Sequence, residues 1–264
     1  MTFLAKVTVF CFAASYGVAF ALEIWRLFRP RLILRVVGIC FMAAGLLAHF
    51  IYLIVQQLPL ASPIGSLLFL ALILAVFSAY GTLHHPKLAS GLFGLPLVLG
   101  LILLAVINPA PPPHWAGERF WGMVHGILVL LAAVGVCVGF LASAMYFVQL
   151  YRLQSKASPG GGMKLMSLER LERMNRRAIL SAFPLLTVGL LVSLGMRQVN
   201  LIDNWTDPKI LSSIGLWLVF AILLYLRYGA HVRGRQVALF TMVAFVVMLI
   251  ALVTAHPFAA GGTP

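Results

Sequence analysis

Charged residues are scarce in this chain of 264 residues. They make up 9% of the chain, whereas 62% is hydrophobic and the mean hydropathy is +1.04. A soluble domain of this length needs far more polar surface to face water. The scarcity of charge therefore excludes a soluble globular protein. It predicts an all-α, polytopic membrane protein, because a helix satisfies its own backbone groups in lipid.

Acidic residues are the rarest of the charged residues. Six Asp and Glu stand against nineteen Lys and Arg, which gives a net charge of +13. Coupled transport of protons or ions usually needs acids buried within the membrane, and Glu23 is the only acid predicted to be buried there, since Glu118 stands at the outer edge of its span. The basic residues lie in short loops, where they set membrane orientation rather than bind nucleic acid. The chain is therefore predicted to be neither a coupled pump nor a nucleic-acid-binding protein.

Cysteines and catalytic motifs are also few. Cys11, Cys40 and Cys137 lie in apolar runs and form no CxxC pair, so they are predicted to be small core residues rather than metal ligands or disulfide partners. The sequence contains no HExxH, no GxSxG and no P-loop. An enzymatic role is left open, because no catalytic set emerges from these motifs.

Eight apolar runs are long enough to cross about 30 Å of hydrocarbon. They are predicted to form about eight transmembrane helices within a single membrane domain that spans residues 1–264. Their approximate bounds are 4–26, 31–56, 62–82, 90–108, 118–150, 176–198, 210–228 and 234–256.

The loops between these runs alternate in charge. Connections 1, 3, 5 and 7 are basic, and the intervening connections are almost neutral. Basic loops stay on the cytoplasmic side, so both termini are predicted to lie outside. The basic residues of the four inner connections are Arg26, Arg29, Arg31, Arg35, Lys87, Arg152, Lys156, Lys164, Arg170, Arg173, Arg176, Arg177, Arg227, Arg233 and Arg235.

The fifth connection, residues 152–177, is predicted to be a cytoplasmic amphipathic linker. A Pro/Gly run at 158–162 precedes Ser167, a candidate N-cap, and Glu169 suits the positive end of a helix. Apolar residues then recur at a spacing of three, which predicts a short amphipathic helix along the inner surface that leads into the sixth span. The alternative is a solvated basic helix that only orients the protein.

Histidines gather toward the predicted outer side. His49 and His125 each lie about seven residues from the outer end of a span, or ~10–12 Å deep, and equal depth permits a facing pair. His256 ends the last span at the same side, and His114 lies in an outer loop. Neutral imidazole is a common axial ligand of haem iron. The alternative is that an intramembrane histidine simply hydrogen-bonds a neighbouring backbone group or serine.

Aromatic and cationic side chains accompany these histidines. Trp121 and Trp205 lie near the outer surface, either as an anchoring belt or as a stacking platform for a planar cofactor. Arg119 and Arg197 are the outer cations that could pair with carboxylates of a ligand. The alternative for both arginines is a salt bridge with an acid of the outer loops, such as Asp207.

Four stretches together resemble the cytochrome c assembly membrane proteins of the CcsA and HemX-like type. They cover most of the chain in the family's order. The stretches are 45–49 with 58–70, the span from His125 to Lys156, 168–177 with Phe183-Pro-Leu-Leu-Thr-Val-Gly, and Asp207-Pro-Lys with Leu216-Trp-Leu-Val-Phe-Ala.

The resemblance implies haem handling at the outer face of a bacterial inner membrane. It implies that His125 and His256 ligate the iron of a haem b, that His49 is a span histidine of the site, and that Trp205 stacks beside Asp207. The implied partners are haem, apocytochrome c, membrane lipid and a second membrane subunit of the assembly machinery. Only Trp205 remains of the family's several tryptophans before Asp207-Pro-Lys. The alternative is therefore a HemX-like, non-catalytic partner or regulator of haem synthesis or cytochrome assembly.

Overall fold

The computed structural model describes residues 7–56, 63–84, 90–107, 119–155, 165–199, 208–228 and 234–254. Within these ranges every regular element is an α-helix, which confirms the all-α prediction. The helices are α1 (Val9–Phe28), α2 (Leu32–Gln56), α3 (Pro63–His84), α4 (Ser90–Ile107), α5 (Arg119–Gln154), α6 (Leu168–Val199), α7 (Pro208–Tyr228) and α8 (Gly234–Thr254).

These eight helices follow the eight predicted runs in order. Six contain stretches that are long and apolar enough to cross a membrane by length and composition. The other two helices, α4 and α7, contain the shorter apolar stretches Gly91–Ile107 and Ser213–Leu226. The side of the membrane on which each terminus lies stays a prediction.

Two helices are longer than a bilayer requires. α5 has 36 residues and α6 has 32, which correspond to about 54 and 48 Å at 1.5 Å per residue, against about 30 Å of hydrocarbon. α6 begins at Leu168, directly after the candidate cap Ser167. The amphipathic stretch is thus continuous with the sixth span in one helix. Its apolar face is buried at Leu171 and Ala178, and Arg173 on the other face is exposed.

The chain divides into two compact units. The first consists of Met1–Leu58, Leu67–Ile107 and Val148–Ser167, and the second of Pro59–Ser66, Asn108–Phe147 and Leu168–Pro264. The expected single membrane domain therefore stays a prediction, and each unit is described by itself.

In the first unit, α1 packs against α2 and α4. A buried carboxylate lies near the end of α1, where α4 approaches it. Glu23 is 7% exposed and lies 3.2 Å from the guanidinium of Arg26. A Cβ atom at Gly91 of α4 would lie 3.3 Å from the side chain of Glu23, so the absence of a side chain at Gly91 lets α4 pack closely against Glu23. Arg35 of α2 donates to the carbonyl of Leu83 in α3 at 3.1 Å.

In the second unit, small residues bring α5 and α6 into close contact. A Cβ atom at Gly135 would lie 2.9 Å from the Cβ atom of Ala182 and 3.0 Å from the carbonyl oxygen of Ala178. Small residues at such crossings let helix backbones approach within a membrane. Further along this contact, the buried side chain of Asn175 bonds to α5 and α8.

The predicted core placement of the cysteines is correct for one of three. Cys137 is buried in the second unit, whereas Cys11 and Cys40 are exposed, and all three are free thiols. The core prediction is wrong for Cys11 and Cys40. An apolar run contains lipid-facing positions as well as core positions, and hydropathy alone does not separate the two.

Candidate functional site

The structure describes only part of the predicted site. His49, His125 and Trp121 are described with their side chains, whereas only the backbone is described for Arg119, the first residue of α5, and Arg197, near the end of α6. The remaining three predicted residues, His256, Trp205 and Asp207, lie outside the described ranges.

His125 is held by α6. Its Nδ1 atom lies 2.8 Å from the carbonyl oxygen of Gly189, and the side chain is partly buried. A carbonyl can only accept, so Nδ1 carries the proton that is donated. In neutral imidazole the other nitrogen, Nε2, then keeps its lone pair. Within the ranges that the structure covers, no residue hydrogen-bonds to Nε2.

Trp121 lies one helical turn before His125 on α5. Residues four apart share a helix face, so the indole and the imidazole project from the same side of α5. The Trp121 side chain is 48% exposed, and its ring meets that of Phe120 edge-on at 5.4 Å. An exposed indole beside a histidine with a lone pair suits a planar ligand as well as the lipid interface.

The stretch of α6 that contains Gly189 also contacts α7. The indole nitrogen of Trp217 donates to the hydroxyl of Thr187 at 3.0 Å, and the Trp217 ring lies 5.7 Å from that of Phe183. Sequence reasoning assigned no role to these three residues. The signal was present, since all three lie within stretches that carry the family resemblance.

His49 is fully buried in the first unit. Its ring stacks on Phe12 with 4.1 Å between centroids and 1° between planes, and its Nδ1 atom lies 3.4 Å from the hydroxyl of Tyr16. Its Nε2 atom is buried and forms no hydrogen bond with any residue that the structure describes. His49 and His125 belong to different units, and the facing pair stays a prediction.

Among the described residues, the surroundings of His125 suit an axial ligand of haem. In the described part of the chain, no group of three or more His, Cys, Asp or Glu side chains could hold a metal ion. Haem iron needs only one or two axial ligands, and histidines that ligate metals usually donate their other N–H group to a carbonyl or carboxylate. His125 has that arrangement. The alternative role predicted for such a histidine, a hydrogen bond to the backbone, uses only the Nδ1 atom of His125. The Nε2 atom is therefore left for a ligand.

Comparison with known proteins places the chain among cytochrome assembly proteins. The family model described as "Cytochrome C assembly protein" matches residues 1–256. The chain is 23% identical over 248 residues to a cytochrome c biogenesis protein CcsA of Gloeobacter violaceus, which covers 72% of this chain and 73% of the relative. No solved structure matches.

Two further relatives are covered less completely. The protein HemX of Bacillus subtilis is 24% identical over 161 residues, with 58% of each chain covered. A CcsA protein of Prochlorococcus marinus is 29% identical over 150 residues, with 49% of this chain and 48% of the relative covered. The match over nearly the whole chain, with the apolar helices, supports a membrane role in cytochrome c biogenesis. This integral membrane protein belongs to the cytochrome c assembly protein family.

Proposed function

We propose that this protein assists the assembly of c-type cytochromes by binding or presenting haem b at the outer face of a bacterial inner membrane. The observation that carries the proposal is the hydrogen bond from His125 Nδ1 to the Gly189 carbonyl, which leaves Nε2 able to ligate iron. When bound, haem supplies an iron centre that accepts imidazole ligands. The protein contributes the ligands, their orientation and the exclusion of water.

The remaining residues of the proposed site are assigned from sequence order. His256 is the proposed second ligand, and Trp205, next to Asp207, is proposed to stack on the macrocycle. Arg119 and Arg197 are proposed to meet the haem propionates, because guanidinium groups pair well with carboxylates. Trp121 is proposed to cover one edge of the site from the turn before His125. His49 is proposed as a separate span histidine, supported by its buried Nε2 atom.

The proposed partners follow from the reaction that the site would serve. Haem presented for attachment must meet an apocytochrome c, and the proposal includes a second membrane subunit that completes the machinery. The relatives that are named as cytochrome c biogenesis proteins support the apocytochrome partner. The second subunit is proposed from the family resemblance. The proposed orientation, with both termini outside, rests on the basic inner connections.

A titration of the purified protein with haem tests the proposal. The wild-type protein is expected to give the Soret band of a bis-histidine haem, and this band should weaken in His125→Ala. His114→Ala is the control, because His114 belongs in sequence to a predicted outer loop but has no proposed role. A spectrum unchanged when His125, His256 and His49 are all substituted would remove the ligand assignment.

A second candidate function is a HemX-like partner or regulator without haem attachment. It is favoured by the similarity to the HemX protein and by the exposed charged start of α6, where Glu169 and Arg173 form a surface ion pair of 2.6 Å. Substituting Arg170, Arg173 and Arg177 with Gln should abolish a regulatory effect on haem synthesis but spare haem binding. Regulation that survives this variant would leave the second function without its mechanism.

A further inference from the structure

We infer that the segment Phe183–Gly189 of α6 is the positioning element of the proposed haem site. It holds His125 in the tautomer that leaves Nε2 free, and it fixes α7, which begins immediately after Trp205 and Asp207 in sequence. The part of this inference that concerns haem rests on the proposed function. The part that concerns the imidazole tautomer holds for the protein without haem.

Gly189 positions His125 through its backbone. A Cβ atom at residue 189 would lie 3.3 Å from Cγ2 of Val129 and 3.5 Å from Cβ of Leu128, both on the turn of α5 after His125. Without that atom, α6 approaches α5 closely enough for the Gly189 carbonyl to accept from Nδ1 at 2.8 Å. A larger residue would push the two helices apart and stretch a bond that weakens steeply with distance.

Thr187 positions α7 through its side chain. Its hydroxyl donates to the carbonyl oxygen of Phe183 at 2.8 Å. A lone pair of the hydroxyl oxygen therefore faces away from the backbone of α6. The indole nitrogen of Trp217 donates to that oxygen at 3.0 Å, while its ring packs on Phe183. Trp217 thereby fixes the rotation of α7 about its axis relative to α6.

The two contacts lie on opposite sides of α6. Residues 187 and 189 are two positions apart, which is about 200° around a helix of 3.6 residues per turn. The short segment Phe183–Gly189 of α6 therefore positions both α5 and α7.

Nitrogen NMR of the haem-free protein with labelled histidines tests the inference about the tautomer of His125. The His125 signal, assigned by its loss in His125→Ala, is expected to show a protonated Nδ1 in the wild type. In Gly189→Ala, and more so in Gly189→Val, the Nε2-protonated form should appear. Gly195→Ala is the matched control on α6, because a Cβ atom there meets nothing within 4 Å. A protonated Nε2 in the wild type, or an unchanged tautomer in a folded Gly189→Val protein, overturns the inference.

The haem part is tested by titrating the same variants. Gly189→Val is expected to weaken haem binding about 10- to 100-fold, the usual cost of losing a hydrogen-bond partner of a metal ligand. Thr187→Val removes only the hydroxyl and should weaken binding less, together with a shift of the Trp217 indole N–H signal. If the wild type binds haem and both variants bind equally well, the positioning role is wrong. If the wild type binds no haem, the proposed function fails, and the tautomer result still decides the rest.

Discussion

The side-chain amide of Asn175 in α6 donates a hydrogen bond of 2.6 Å to the hydroxyl of Ser143 in α5. The same amide nitrogen lies 3.2 Å from the hydroxyl of Thr241 in α8, and Thr241 donates in turn to the Asn175 oxygen at 3.3 Å. All three residues are buried. One asparagine therefore connects three helices of the second unit through satisfied hydrogen bonds.

Loss of this connection should destabilise the protein. Asn175→Ala removes both contacts of the amide to neighbouring helices and leaves a cavity, which predicts a loss of about 1–3 kcal/mol in the free energy of unfolding. Thermal or denaturant unfolding in detergent measures it. Ser155→Ala, at the exposed end of α5, is the control and should be neutral. Equal stability of the two variants would show that the network contributes nothing.

The close contact of α5 and α6 predicts a difference between two glycines of the same helix. Gly135→Ala should cost about 1–3 kcal/mol of overpacking, because the new methyl group meets a backbone carbonyl at 3.0 Å. Gly126→Ala meets nothing within 4 Å and should gain up to about 1 kcal/mol from helix propensity. The unfolding free energies of both variants are compared with the wild type. A stabilising Gly135→Ala would contradict the observed helix separation.

The carboxylate of Glu23 predicts a second stability difference. Replacing the buried carboxylate by an amide weakens its ion pair with Arg26, so Glu23→Gln should cost of order 3 kcal/mol. The matched control is Glu169→Gln, whose partner Arg173 is 59% exposed and whose pair is worth about 1 kcal/mol or less. Unfolding of both variants in detergent makes the comparison. A larger loss in Glu169→Gln would reverse the assignment of the buried pair.

The membrane orientation is testable by labelling single cysteines in cells. The three native cysteines are first replaced by alanine. A new cysteine at Ser155, at the end of α5, should react with a membrane-impermeant thiol reagent only after the membrane is opened. A cysteine at Thr206 should react in intact cells. The opposite pattern would invert the predicted topology and move the proposed haem site to the cytoplasmic face.

The sequence predicts the helices far better than the contacts between them. Hydropathy places all eight helices, because lipid requires long apolar runs with satisfied backbone groups. It does not predict that the partner of His125 is the Gly189 carbonyl, because every residue carries a carbonyl and only the helix crossing selects one. The sequence predicts that the amphipathic helix leads into the sixth span, and the structure shows one continuous helix, α6. Its arginine-rich start indicates a surface helix, yet the buried side chains of Leu171 and Asn175 keep it in the second unit.

Chemical rescue with free imidazole tests whether His125 binds haem iron through Nε2. In His125→Gly the imidazole is removed and a space of its size remains, so added free imidazole can occupy the ligand position. His125→Gly is expected to lose the low-spin haem spectrum and to regain it with millimolar imidazole, whereas a similar variant at His114 needs no rescue. A low-spin spectrum that persists in His125→Gly without imidazole would show that His125 is not an iron ligand.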